Sequence, residues 1–362
     1  MEFLADYLKV VDKNISNDHK DNWDHYRYGQ EPAVSLKAKV IASVNSLLYK
    51  KGFFNLHGFI ANNLDNALKF KFLYEHLGNA EDKELLLAVL AYHSLGYKRV
   101  RLPLSNPGYW SKLKEIELLG TDPGVKDESL AGYKIKEFDI TSLGYPLKLY
   151  YSAFGIMIDF IVKQYEYSQG PVHIKAERGD VVIDAGGCWG DTAVYFANEV
   201  GSEGKVYSFE FIPKNIHLFQ KNVQLNRLEG QVELLPNPVW KDSATRLYYK
   251  DRGPGSSVKM EPFEGYDGTC MTLSIDDLVA QKGLQQLNFI KMDIEGAETD
   301  ALKGAQESIK KFKPKLAIAL YHSYEDFDRI PRMINEMGLG YRFYFSHSTI
   351  YDEESMLFAI AE

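Results

Sequence analysis

Cysteine, long apolar runs and concentrated positive charge are scarce in this sequence, and each shortage closes off a class of function. The 362 residues include two cysteines, Cys188 and Cys270, far apart and without the paired spacing of a zinc site or a disulfide framework. A reducing compartment is the expectation. No stretch approaches the roughly 20 apolar residues that cross a bilayer, and the opening MEFLADYLKVVDKNISND carries acids and lysines where a signal peptide needs its apolar run. We therefore expect a cytoplasmic protein with no membrane insertion. Lys and Arg number 42 against 50 Asp and Glu, for a formal net charge of -8, and no dense basic stripe offers itself to a phosphate backbone. Nucleic acid is excluded as a first expectation. Internal repeats and low-complexity tracts are also missing.

What is present is a composition of 45% hydrophobic and 25% charged residues, enough to bury a substantial core. Single cores stop growing near about 250 to 300 residues, so two units are expected. Residues 1–164 read as a mainly helical N-terminal region. Apolar residues recur at helical spacing in LKAKVIASVNSLLYK and EDKELLLAVLAYHSLG, with Gly52, Gly58 and Gly78 as punctuation. From Arg99 to about Gly170 the text is Tyr-rich and broken by Pro and Gly, a cap or connector without assignable elements. Its Tyr and Trp side chains suit stacking on sugar faces.

Residues 165–362 alternate short apolar runs with amphipathic stretches: VVIDAG, DTAVYFANEV, KVYSFE, PKNIHLFQKNVQLNR, VELLP, then NFIKMDI, a helix over Glu298 to Lys310, KLAIAL, a helix over Glu325 to Met337, and YRFYFS and SMLFAIA. This pattern predicts an α/β fold, a doubly wound seven-stranded sheet with an antiparallel last strand. Ligands of such sheets lie beyond the carboxyl ends of the strands.

In VVIDAGGCWGDTAV, Asp184 ends a strand, Gly186, Gly187 and Gly190 form a turn, and Asp191 and Thr192 start a helix. The dinucleotide fingerprint G-x-G-x-x-G fails here in both registers: Cys188 and Asp191, or Trp189 and Thr192, fill its second and third glycine slots. A pyrophosphate needs bare backbone and would be repelled by Asp191, whereas a ligand carrying an ammonium and a sulfonium has the opposite preference. Glu210, at the end of the next strand, is placed to accept hydrogen bonds from two ribose hydroxyls. Asn237 follows the third strand, where a polar side chain could meet an adenine edge or simply form the turn before Pro238.

IKMDIEGAE is the most specific string. In extended geometry Asp293 and Glu295 point to one side at the carboxyl end of a central strand, and Gly296 allows the turn that follows. Glu298 is expected only to favour a helix N-terminus. His322 directly follows KLAIAL, where an imidazole with an ordinary pKa of about 6.5 could take a proton from a hydroxyl. His347 is a weaker candidate for the same rim.

From about Tyr165 to the C-terminus the chain resembles the FkbM-type methyltransferase family, through VVIDAGGCWGDTA, KVYSFE, IKMDIEGAE and LAIALYHS in that order. The resemblance implies a class I Rossmann-like methyltransferase fold with S-adenosylmethionine as donor and O-methylation of a hydroxyl on a sugar, glycan or secondary metabolite. It places the donor at Asp184 through Thr192 and Glu210, and turns Asp293, Glu295 and His322 toward the acceptor. Cys188 stands where a third alternating glycine often stands. Asp293 and Glu295 are also a carboxylate pair that suits Mg or Mn. An NAD-dependent oxidoreductase or epimerase shares the fold and the ribose-binding acid, and a non-catalytic binding protein would keep only the pocket.

Overall fold

The computed structural model describes residues 2–31, 56–122 and 135–361. Its frame is a seven-stranded sheet: β1 (Val181–Ala185), β2 (Lys205–Phe209), β3 (Val232–Leu235), β4 (Phe289–Met292), β5 (Lys315–Ala319), β6 (Tyr341–His347) and β7 (Ser355–Ala361). Across the sheet they run β6-β7-β5-β4-β1-β2-β3. β1 to β5 pair in parallel, and β7 enters antiparallel between β5 and β6. The chain winds outward in one direction from β1 and in the other from β4. The crevice above these two strands is thus the switch point of the fold.

The longer helices among the described residues are α1 (Glu2–Asn14), α2 (Leu56–His76), α3 (Ala80–Leu95), α4 (Pro107–Leu119), α5 (Asp191–Val200), α6 (Pro213–Leu225), α7 (Ile275–Lys282), α8 (Glu298–Lys303), α9 (Gln306–Phe312) and α10 (Asp326–Glu336). They cover both faces of the sheet, which explains why its central strands read as continuous apolar runs. Neighbouring strand residues alternate between the two layers. Val182, Val206, Phe289 and Ala317 share a core with α4, α5 and α6, while Ile183, Ile290 and Leu316 share one with α7 to α10 and with α1 to α3. Phe70 of α2 stacks on Phe327 of α10 at 4.0 Å, and the buried Asp82 of α3 accepts a hydrogen bond from the Phe345 N–H of β6 at 2.8 Å. The N-terminal helices therefore complete one layer of the sheet. No helix of the described residues is long and apolar enough to cross a membrane.

Several local expectations change. LKAKVIASVNSLLYK and Gly52 lie outside the described residues, and Gly58 falls inside the first turn of α2. The single helix expected over Glu298 to Lys310 is two, α8 and α9, parted at Gly304. A Cβ there would stand 2.1 Å from the Trp240 carbonyl oxygen, so the break lets the loop after β3 pack close. That loop carries a three-stranded antiparallel sheet (Arg246–Lys250, Ser257–Lys259 and Gly268–Met271) that the sequence did not announce, because its half-exposed strands lack a clean alternation. The Tyr-rich connector holds another, Gly120–Thr121 with Lys136–Asp139 and Lys148–Tyr151, and a hairpin of Tyr167–Gln169 and Val172–Ile174.

Candidate active site

Beyond the carboxyl ends of β1, β2, β4 and β5 lie two adjoining hollows, one of about 1230 Å³ and a narrow one of about 70 Å³. Gly186, Cys188, Pro254, Asp293 and Glu295 line both, so the two meet at the switch point.

The turn after β1 is shaped by packing as much as by any ligand. Gly186 sits at φ 92°, and a Cβ on it would come within 2.0 Å of the Asp293 carbonyl oxygen; one on Gly187 would meet Ser208 Oγ at 2.1 Å. Of the residues expected around the donor, Gly186, Cys188, Asp191, Thr192, Glu210 and Asn237 line a hollow. Asp184, Gly187 and Gly190 stand behind it. Asp184 is fully buried and accepts hydrogen bonds from Thr192 Oγ1 at 2.9 Å and Ser208 Oγ at 2.6 Å, while Lys291 Nζ lies 3.1 Å from its other oxygen. Its work is to brace the turn from below.

Glu210 and Asn237 belong to the narrow hollow. Glu210 accepts from the Ile212 N–H at 2.7 Å and from Asn215 Nδ2 at 3.2 Å, and burial raises its pKa to about 7. Asn237 donates to the Met271 carbonyl at 2.8 Å, which ties the wall to the inserted sheet.

The wide hollow holds the acids. Asp293 accepts from the Tyr165 hydroxyl at 3.0 Å and from the Tyr321 hydroxyl at 2.9 Å. His322 directs Nε2 toward Asp293 at 3.4 Å and Glu295 at 3.7 Å, and Nδ1 toward Glu298 at 2.9 Å. None of these contacts is aligned as a hydrogen bond, and Glu298 Oε2 is likewise without one. Burial works against charge on His322, but Glu298, Asp293 and Glu295 outweigh it and raise the imidazole to about 10. Burial lifts Glu295 to about 7, on a backbone at φ 56°. Glu298, expected only at a helix start, is instead fully buried and turned back to accept from the Ile294 N–H at 2.9 Å. His347 departs from the rim altogether. It is buried between Ser355 Oγ (2.9 Å) and the Tyr351 carbonyl (2.6 Å) and lines neither hollow.

Against this geometry, residues 173–343 match the sequence family described as the methyltransferase FkbM domain. Residues 173–343, just under half of the chain, are thus similar to an FkbM methyltransferase domain. "Methyltransferase 1" of Beauveria bassiana (strain ARSEF 2860) is 22% identical over 179 residues, covering 44% of this chain and 72% of that protein. The crystal structure of Methyltransferase FkbM from Methylobacillus flagellatus KT is similar with a TM-score of 0.51 and 19% identity, covering 83% of this chain. The match spans 60% of that protein's length, and at this identity the likeness is one of fold, the class I methyltransferase fold.

Two groups of the FkbM domain and its flank escaped the sequence reading. Lys291 is buried in β4 with Nζ 2.6 Å from the Gly186 carbonyl and 5.1 Å from the Tyr165 ring centre; burial opposes its charge, but Asp184 and Asp293 hold it charged. A lysine inside an otherwise apolar strand was the available signal. Asp159 lies in a π-helical turn, Met157–Val162, of the sort that often marks a functional site. The Tyr151 hydroxyl stands 2.7 Å from Asp159 and 3.0 Å from Asp191 and can donate its one proton to only one of them. Burial raises Asp191 to about 6 and Asp159 well above the usual carboxylate range, and Asp191 Oδ1 has no partner. These groups line the wide hollow beside Cys188.

Proposed function

We propose that this protein transfers the methyl group of S-adenosylmethionine to a hydroxyl of a small polar acceptor, a sugar, glycan or secondary metabolite. The observation that carries the reading is the meeting of the two hollows at Gly186, Cys188, Asp293 and Glu295. The narrow one takes the adenosine, with Glu210 receiving the ribose hydroxyls and Asn237 beside the adenine. The methionine end runs along Gly186 and Cys188, where the free oxygen of Asp191 meets its ammonium. An acid at that helix start opposes the pyrophosphate of NAD, which disfavours the oxidoreductase alternative.

The acceptor occupies the wide hollow. Its oxygen attacks the methyl carbon in line with the C–S bond, the sulfonium leaves as the neutral thioether of S-adenosylhomocysteine, and the hydroxyl proton passes to the carboxylate of Asp293 or Glu295. Alignment of this kind supplies about 7 to 11 kcal/mol of the barrier reduction, and a positioned proton acceptor adds about 100-fold to 10,000-fold. His322 stands beside both carboxylates, 3.4 Å from Asp293 and 3.7 Å from Glu295. A divalent cation held beside Asp293 belongs to the same reading. Every residue before 165 that lines a hollow lines the wide one, among them His25, Arg27, Glu117, Tyr151 and Gln164. Residues 1–164 accordingly select the acceptor and residues 165–362 hold the donor. The acidic lining disfavours phosphate-rich acceptors such as nucleic acid, and the two free thiols suit the cytoplasm.

Incubation with donor carrying a labelled methyl group, against a panel of sugars and hydroxylated metabolites, tests the reaction. An O-methylated product supports it. Donor binding without transfer to any of the panel would favour the non-catalytic binder.

A further inference from the structure

Glu298, His322 and Asp293 present a puzzle of charge. Each offers a ligand atom within 4.8 Å of the others, on the loop after β4 and the end of β5. Glu298 is wholly buried, His322 and Asp293 nearly so. Lys291, a cation in the same wall, is already engaged by Asp184 and two carbonyl oxygens. A single imidazole faces three carboxylates, counting Glu295, and neither ring nitrogen is aligned to hydrogen-bond with any of them. Both ring nitrogens and Glu298 Oε2 are thus buried polar atoms without a hydrogen bond, and one of the two nitrogens is available to an ion between the acids. Such atoms are rare in folded proteins, and one common cause is an ion that belongs between them.

We propose that Asp293, Glu298 and His322 form a binding site for a divalent transition-metal ion, Mn2+, Fe2+ or Zn2+ in preference to Mg2+. Ligand atoms about 2.0 to 2.2 Å from one ion stand about 3 to 3.5 Å apart when they are adjacent in its shell. One ring nitrogen, one Asp293 oxygen and one Glu298 oxygen lie within 4.8 Å of one another, and His322 Nε2 stands 3.4 Å from Asp293, before any ion draws the side chains in. An imidazole in the set shifts the preference from the hard, oxygen-seeking Mg2+ toward first-row transition ions. The ligand set also differs from the Asp293 and Glu295 pair expected from the sequence. Glu298 lies deeper and has a free oxygen, while Glu295 stands at the open edge, 3.7 Å from the ring. The Ile294 N–H fixes Glu298, and the Tyr165 and Tyr321 hydroxyls fix Asp293, so the ligands are held as outer groups hold them in metal sites.

The ion's purpose rests on the methyl-transfer reading. The site opens onto the wide hollow through Asp293, Glu295 and His322, where an acceptor hydroxyl could coordinate and lose its proton more readily. The proton leaves to a carboxylate or to water, the O–CH3 bond forms and the C–S bond breaks, with no change of oxidation state.

Chelator-treated full-length protein titrated with Co2+ alone provides the test, with visible d–d absorption and calorimetry as readouts and Zn2+, Mn2+ and Mg2+ as competitors. We expect one Co2+ per chain, displaced by Zn2+ and Mn2+ far more readily than by Mg2+. Glu298→Gln and His322→Gln should each weaken it by about 10- to 100-fold or more. Should either variant fail to fold, Asp293→Asn serves in its place. Asp159→Asn, which removes another acid from the same hollow, should bind Co2+ as the unaltered protein does. Absence of d–d bands, or equal weakening by Asp159→Asn, overturns the site. S-adenosylhomocysteine affinity measured on the same samples separates the two claims. Retained binding without Co2+ bands removes the metal alone, and Co2+ bands without S-adenosylhomocysteine binding remove the transferase reading alone.

Discussion

Asp293 is held between the hydroxyls of Tyr165 and Tyr321, and that clamp decides what its loss should do. Asn at this position keeps the shape and one acceptor oxygen but gives up the charge. Asp293→Asn should therefore leave S-adenosylhomocysteine affinity nearly unchanged while lowering kcat by about 100-fold to 10,000-fold, as steady-state kinetics and calorimetry on the same preparation would show. Asp293, Glu295 and His322 could be found in the sequence because each follows directly on an apolar run whose end the fold turns toward the crevice. Asp159 could not. In MIDFIV it is one acid in an apolar string, and only the π-helical turn brings it to Asp191 and Tyr151. Glu298 was read for its place at a helix start, where a carboxylate is ordinary. That its side chain turns back into the interior depends on the left-handed backbone at Glu295 and Gly296, which residue spacing does not disclose.

At the level of elements, the alternation of apolar runs with amphipathic stretches made the seven strands legible because buried parallel strands need apolar residues on both faces. The small antiparallel sheets left no such trace, since their strands are short and half exposed. The hairpin of β6 and β7 shows how a residue can be well placed in sequence and still serve only the fold. His347 is sealed between Ser355 and Tyr351, and burial depresses its pKa to about 3. The unfolded chain, with an ordinary value of about 6.5, takes up this proton first as pH falls. Stability is thus fully present above about pH 6.5 and is lost toward pH 3, at up to about 1.4 kcal/mol per pH unit. In His347→Gln that contribution is absent. The stability gap between the unaltered protein and the variant should narrow by about 2 kcal/mol between pH 7 and pH 5 in urea denaturation. A gap that stays constant would mean His347 is protonated inside the fold.

Over the whole molecule, the core is not divided along the chain. Phe70, Leu86 and Leu90 of α2 and α3 belong to the same apolar cluster as Ile183, Ile290 and Phe345, so the N-terminal helices are structurally one body with the sheet. Their division of labour is best tested by a point change at the cavity wall. Arg27 is paired with Glu353 and Glu354 and lines the wide hollow only. Arg27→Ala should alter KM for the acceptor while leaving S-adenosylhomocysteine affinity as it was; a matching change in both would mean the two hollows act as one.

The central claim is that the narrow hollow beside Glu210 holds the adenosine of S-adenosylmethionine. Calorimetric titration of the full-length protein with S-adenosylhomocysteine and with NAD, repeated on Glu210→Ala, examines it most directly. The account predicts one S-adenosylhomocysteine per chain, no heat of binding from NAD, and a loss of about 1 to 3 kcal/mol, roughly 5- to 150-fold, in the variant as two ribose hydroxyls lose their acceptor. NAD binding that depends on Glu210, or S-adenosylhomocysteine affinity indifferent to its removal, would contradict it.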